Sequence, residues 1–305
     1  MDCKPPVLRA AGRARGADGF VLIAVLWILG ALATLAVIYA VYVVNAAASV
    51  SVDNDRLQVE SSLSGALELT AYYLETTEQA ARPSSGTFTF PLGANRVTVR
   101  FVSEAARIDL NKAEKPLLTG LFGVLGASSD AAAEYADRVI GWRSPSSEEL
   151  ASRDKEIAAY RAAGLRYDPR EGPFNNVQEL WLVLGLPPAM VERMMPYVTV
   201  FSGMAAINVM DAAPAVLAAL PGMTPERLDD LLNSRNRPAA DRNAILASLG
   251  TSGSVATTDA SKAYRVSVEV GLPQGRRFAA EAVILLLQDA PDPYRVLSWT
   301  DGFDG

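Results

Sequence analysis

The sequence predicts an α+β protein: one long amino-terminal helix, transmembrane in its first half, packed on an antiparallel sheet that carries an inserted all-α block. Three observations predict it. A charge-free run of 34 residues spans Gly19 to Val52. Stretches with a period of two lie on both sides of the middle of the chain, at 87–102 and 264–299, and the segment between them has a helical period.

Of the 25 residues from Phe20 to Val44, only Gly30 and Thr34 are not strongly apolar or aromatic. As a helix this run is about 37 Å long at ~1.5 Å per residue, more than the ~30 Å of a bilayer's hydrocarbon core. A buried helix of a soluble protein would show a polar face over such a length. Lys4, Arg9, Arg13 and Arg15 precede the run against Asp2 and Asp18, a bias that keeps residues 1–18 in the cytoplasm and sends the rest across. The run is too long for a secretory h-region, although Ala46-Ala47-Ala48 imitates a signal-peptidase site.

Past Val44 the helix is expected to continue to about Glu78. Val59, Leu63, Leu67, Thr70 and Leu74 form its apolar stripe, and Arg82-Pro83-Ser84-Ser85-Gly86 ends it. Thr87–Phe90 and Arg96–Val102 then read as strands around Pro91–Ala94, with Val97, Val99 and Phe101 facing inward. From Ile108 the helical period is expected to hold to about Leu249. Within it Ile108-Asp109-Leu110-Asn111-Lys112-Ala113 and Ile207-Asn208-Val209-Met210-Asp211-Ala212 look alike, and each reads as a helix N-cap. Phe174–Leu180 is another cap. Gly185-Leu186-Pro187-Pro188 and Leu220–Pro225 are breaks. After a Ser/Thr/Gly-rich linker at Gly250–Thr258, strands are expected at Tyr264–Val270, Phe278–Leu287 and Tyr294–Trp299. Strands on both sides of a helical segment make that segment an insertion into one sheet. The division is therefore 1–19 leader, 20–44 transmembrane helix, 45–107 with 255–305 the α+β domain, and 108–254 the all-α insertion.

Composition excludes several functions. The chain has no histidine, which removes the commonest general base and nearly every zinc site, and no phosphate-binding glycine loop follows a strand. An enzyme is not expected. Residues 1–19 hold four of the 28 basic and two of the 34 acidic residues, so the rest carries 24 against 32, a net charge of −8. That balance argues against nucleic acid as a partner. The only cysteine is Cys3, so residues 20–305 can form no disulfide.

A short basic leader ending in Gly19, then Phe20 and an uncut apolar helix, resembles the class III signal of type IV pilins and type II secretion pseudopilins. The resemblance implies cleavage between Gly19 and Phe20 by prepilin peptidase and N-methylation of Phe20. The fifth residue from Phe20, normally Glu in that family, is Ala24 here, which within the resemblance points to the minor pseudopilin K family. Ala159-Tyr160-Arg161, Gly172-Pro173-Phe174, Pro196–Val200 and Ile207-Asn208-Val209 with Leu217–Gly222 are similar to that family's inserted helical domain. Met210-Asp211 stands where the family tends to have Asn-Thr.

The resemblance implies a pilin-like fold and a place at the tip of the periplasmic pseudopilus with the I-type and J-type minor pseudopilins. It also implies contact with the inner-membrane assembly platform, a single-pass inner-membrane location with the carboxyl-terminal domain in the periplasm, and a part in exporting folded proteins. The rival reading is a membrane-anchored helix-hairpin-helix DNA-uptake receptor. It is disfavoured because the breaks lack Gly-x-Gly and their surroundings are acidic. No cofactor is required. Asp289, Asp292, Asp301 and Asp304 supply hard oxygen ligands for calcium, which some secretion pseudopilins hold near the carboxyl end, but their spacing matches no EF-hand and reads first as a solvated acidic tail.

Overall fold

A helix of 59 residues, α1, runs from Asp18 to Thr76. The computed structural model describes residues 18–78, 81–143, 157–237, 241–273, 275–287 and 290–302, and it falls into two compact units, 1–60 and 61–305.

In the first unit, Phe20–Val43 has a mean hydropathy of 2.8, and no part of that segment is buried in the protein. Bare apolar side chains over such a length are stable only in an apolar solvent. The hydroxyl of Thr34 donates to the carbonyls of Gly30 and Ala31 at 3.1 and 2.8 Å, so this side chain is satisfied within the helix.

In the second unit, the end of α1 lays Leu63, Ala66, Leu67, Thr70, Ala71 and Leu74 inward, all buried. Thr70 keeps its hydroxyl on the Ala66 carbonyl at 2.6 Å, so it packs as a methyl group. Tyr73 meets Phe101 of the sheet at 6.1 Å between ring centres, and the Tyr294 hydroxyl donates to Glu68 at 3.2 Å. These contacts fix opposite flanks of the helix to the sheet.

That sheet is antiparallel, in the order β1-β2-β7-β8-β9. β1 is Ser85–Leu92, β2 Asn95–Ser103, β7 Ala263–Gly271, β8 Arg277–Leu286 and β9 Tyr294–Gly302. Each expected strand is present, one to three residues longer at an end. Burial alternates strictly along β2, because successive side chains point to opposite faces and only one face is covered. β2 and β7 are paired from Arg96↔Gly271 to Ser103↔Tyr264, so the chain leaves and rejoins the sheet at adjacent points. Ser103 Oγ accepts from Ser261 N at 2.8 Å and lies 3.0 Å from Ser261 Oγ, closing the two crossings together.

Between these strands lie β3 (Ile108–Asp109), α2 (Lys115–Val124), α3 (Ser129–Arg143), a 3₁₀ turn over Val177–Leu182, α4 (Pro188–Met194) and β4 (Val198–Thr199). Then come β5 (Ile207–Asn208), α5 (Pro214–Ala218), α6 (Pro225–Arg235), α7 (Arg242–Ser248) and β6 (Ala256–Thr257). Their apolar side chains form one cluster that runs from Ile108 to Leu249.

The block is not helical throughout, as its periodicity suggests. Ile108, Asp109, Ile207 and Asn208 are all buried, and a buried backbone must find partners. β4 and β6 supply them as parallel pairs, Ile108↔Val198 and Ile207↔Ala256. The linker expected at Gly250–Thr258 therefore ends in a strand belonging to the block, and the chain rejoins the sheet only at Ala263.

The two similar segments are equivalent in bonding, but they are not helix caps. Asp109 and Asn208 each accept from the amide two residues on, at 2.8 and 2.9 Å, making side-chain turns just after the strands. The helices begin later, at Lys115 and Pro214, preceded by Glu114 and Ala213 without a side-chain cap and with proline in the first turn. Each turn is plugged by an arginine from the following long helix. Arg143 donates to the carbonyls of Leu110 and Ala113, and Arg235 to those of Val209 and Ala212. The block is thus an internal duplication with an offset of 99 residues between its first strands.

The two halves meet where α2 crosses the end of α5. A Cβ on Gly120 would lie 2.1 Å from the carbonyl oxygen of Ala219. Gly120→Ala gains ~1 kcal/mol in helix propensity. The clash is with backbone, which cannot swing aside, so the net result is expected to be a loss of about 2 kcal/mol. Urea unfolding followed by far-UV circular dichroism measures it, and an unchanged or raised midpoint would contradict this crossing.

Candidate functional site

Gly19 and Phe20 lie in α1, and the Phe20 side chain is 76 % exposed. Ala24, one turn on, is half-buried, and no charged residue falls within Phe20–Val43. The basic residues of the leader lie outside the described residues.

The four carboxyl-terminal aspartates are not shown together. Asp292 is in the turn before β9 and Asp301 lies near its end, where its Oδ1 accepts from Trp299 Nε1 at 2.5 Å. Asp289 and Asp304 lie outside the described residues. Among the described residues, no three or more possible metal ligands converge.

Polar chemistry concentrates instead at the joint between sheet and block, where sequence reasoning marked nothing. Glu104 follows β2 directly and its side chain is fully buried. Arg265 of β7 reaches it with Nε at 2.8 Å and Nη2 at 3.3 Å, and Arg107 with Nη1 at 3.0 Å. Thr199 of β4 donates its hydroxyl to the other carboxylate oxygen. Arg107 also donates to the Pro196 carbonyl at 3.1 Å, and Arg265 to Glu281 at 2.5 Å. One carboxylate thus ties β2, β7 and the block. Burial, then the neighbouring Arg265 charge, pushes Arg107 down. Arg265 is buried to the same degree, yet Glu104 and Glu281 together hold it above the ordinary guanidinium range.

A second carboxylate, Asp109, accepts from Ser202 Oγ at 3.0 Å and Gly203 N at 2.7 Å, pinning the loop after β4. The only sequence signal for the joint was Glu104 and Arg107 three residues apart where the period changes from two to 3.6. Arg265 and Thr199 carried none, because each contacts Glu104 only through the fold.

The joint is an ion-paired seat that holds the inserted block on the sheet.

Residues 98–203, from the middle of β2 to the loop beyond β4, match the family described as type II secretion system (T2SS), protein K. That match takes in 106 of the chain's 305 residues. No curated protein matches it. The fold is also similar to a chain in the crystal structure of the GspK-GspI-GspJ complex from the enterotoxigenic Escherichia coli Type 2 Secretion System. The TM-score is 0.53 at 17 % identity, covering 81 % of this chain and 95 % of that one. The protein K match begins inside the sheet and crosses the Glu104 joint, so it takes in the attachment of the block and the block's first half. The match and the fold together support a pseudopilin of type II secretion, and Phe20–Val43 is long and apolar enough to cross a membrane.

Proposed function

We propose that this pseudopilin occupies the tip of the periplasmic pseudopilus, anchored in the inner membrane with residues 61–305 in the periplasm, and takes part there in assembly and export of folded proteins. Its partners in this reading are I-type and J-type minor pseudopilins, in keeping with the complex to which its fold is similar. Prepilin peptidase and the inner-membrane assembly platform act on it before it joins them.

The observation that carries the tip position is Ala24. When pilin-like helices bundle, each new amino-terminal ammonium enters an apolar core, and an unpaired buried charge costs several kcal/mol. The resemblance implies that a glutamate at the fifth position neutralises the neighbour's amine. Here that position is Ala24, and the span offers no other carboxylate. A subunit stacked against this side would leave its amine unpaired, and only the terminal subunit has no neighbour there. The block adds a steric barrier on the same head.

A photo-crosslinking residue at Ala24, and another on an exposed position of the block such as Val124, test this in cells expressing the full set of pseudopilins. Adducts confined to minor pseudopilins on one side are expected. Major-pseudopilin adducts on both sides would overturn the tip position.

A further inference from the structure

We propose that Arg100 and Asp211 form a latch across the joint between the sheet and the helical block, shown here in its open state. Asp211 belongs to the second side-chain turn of the block, and its Oδ1 accepts from the Ser85 hydroxyl of β1 at 2.6 Å. Its other oxygen, Oδ2, is buried without a hydrogen-bond partner among the described residues. A carboxylate oxygen withdrawn from water and left unpaired is costly, so the site favours a donor that can move in.

Arg100 is that donor. It lies on the same face of the sheet as Ser85: Ser85 stands opposite Val102, and Arg100 opposite Thr87, one pair further along β1 and β2. Such a diagonal neighbour is about 7–8 Å away between Cα atoms, within reach of an arginine side chain. Arg100 is exposed and has no hydrogen-bond or ion-pair partner among the described residues. It also lines, together with Asp211 and Val102, the two adjoining clefts between sheet and block, of about 270 and 280 Å³.

The other cations of the joint are committed elsewhere. Arg265 and Arg107 are held by Glu104, and Arg235 is held by the carbonyls of Val209 and Ala212. Closing Arg100 onto Oδ2 pairs a free guanidinium with a half-paired carboxylate and adds a third tie to those made by Glu104 and Ser85. The latch sets how firmly the second half of the duplication is held to β1 and β2, the side of the head that the Glu104 tie to β4 leaves free.

Hydrogen-deuterium exchange on the detergent-solubilised full-length protein tests it. Arg100→Ala, a change at an exposed position, is expected to speed exchange of the amides at 84–86 and 209–213 about tenfold, as for the loss of one charge-assisted hydrogen bond. Asp211→Asn should speed the same amides to a similar degree, and the double variant no further. Unchanged exchange in Arg100→Ala, or effects of the two variants that multiply, would overturn the latch. If Asp211→Asn does not fold, Arg100→Ala decides alone.

Discussion

Alanine in place of Glu104 is expected to lower the unfolding free energy of the detergent-solubilised protein by about 3–5 kcal/mol, as for one partner removed from a buried ion network. The carboxylate is fully buried and accepts from Arg107, Arg265 and Thr199 at once. Its loss strands two guanidiniums whose side chains are only 25 and 22 % exposed. Arg265 keeps Glu281, which is itself 41 % exposed and so a weaker partner, while Arg107 keeps the Pro196 carbonyl and the more distant charge of Glu281. Two like charges then face each other in a site that was neutralised from between.

The remedy distinguishes this account from a simple loss of packing. Glu104→Leu with Arg265→Met removes the carboxylate and one of the two guanidiniums it held, leaving Arg107 on the Pro196 carbonyl, and replacing a buried pair with apolar groups is often nearly neutral. That double variant should recover more than half of the loss in urea unfolding. A double variant as unstable as Glu104→Ala would mean that the network contributes shape rather than charge balance. Thr199 is the block's own contact with Glu104, so the single variant should also loosen the block on the sheet. Earlier loss of its helical signal than of the sheet's would show that.

The second large effect concerns the leader. Gly19→Val is expected to leave the protein with its Met1 leader in place, processing being slowed about a hundredfold or more, as displacements of about 1 Å at a reacting bond do. Glycine admits close approach of another backbone, and a β-branched side chain next to the scissile bond forbids it. Mass spectrometry of the membrane-extracted protein reads the result directly. The unsubstituted chain should begin at Phe20, carrying one methyl group on its amine. A start near Ser49, or an intact leader without any substitution, would refute the class III reading. Ala24→Glu in the same assay should leave processing unchanged, since position 24 lies a full turn inside the helix.

Much of this architecture is written locally in the chain. The anchor is legible because 25 residues without charge cannot be hidden in a domain of this size. The strands are legible because one face of the sheet is buried and the other is wet, which forces Val97, Val99 and Phe101 to alternate with Arg96, Thr98 and Arg100. The breaks at Gly185 and Gly222 are legible because the chain there needs positive φ, 85° and 74°, which glycine adopts without strain. Even the duplication was visible, since Ile108–Ala113 and Ile207–Ala212 keep the same apolar and small positions.

What those repeats do was decided by tertiary structure. Asp before an Ala-containing run is equally good as a helix cap or as the head of a side-chain turn, and the choice was made by strands 90 and 49 residues further on. The partners Val198 and Ala256 convert Ile108 and Ile207 from helix leaders into strands. Glu104 reads locally as an acid after a strand, an ordinary solvated position. It becomes the keystone of the head only because Thr199 and Arg265, 95 and 161 residues away, arrive at its two oxygens. Hydrophobic periodicity reports which face of an element is covered, a property of consecutive residues. A buried ion network reports which elements meet, and no stretch of consecutive residues contains that.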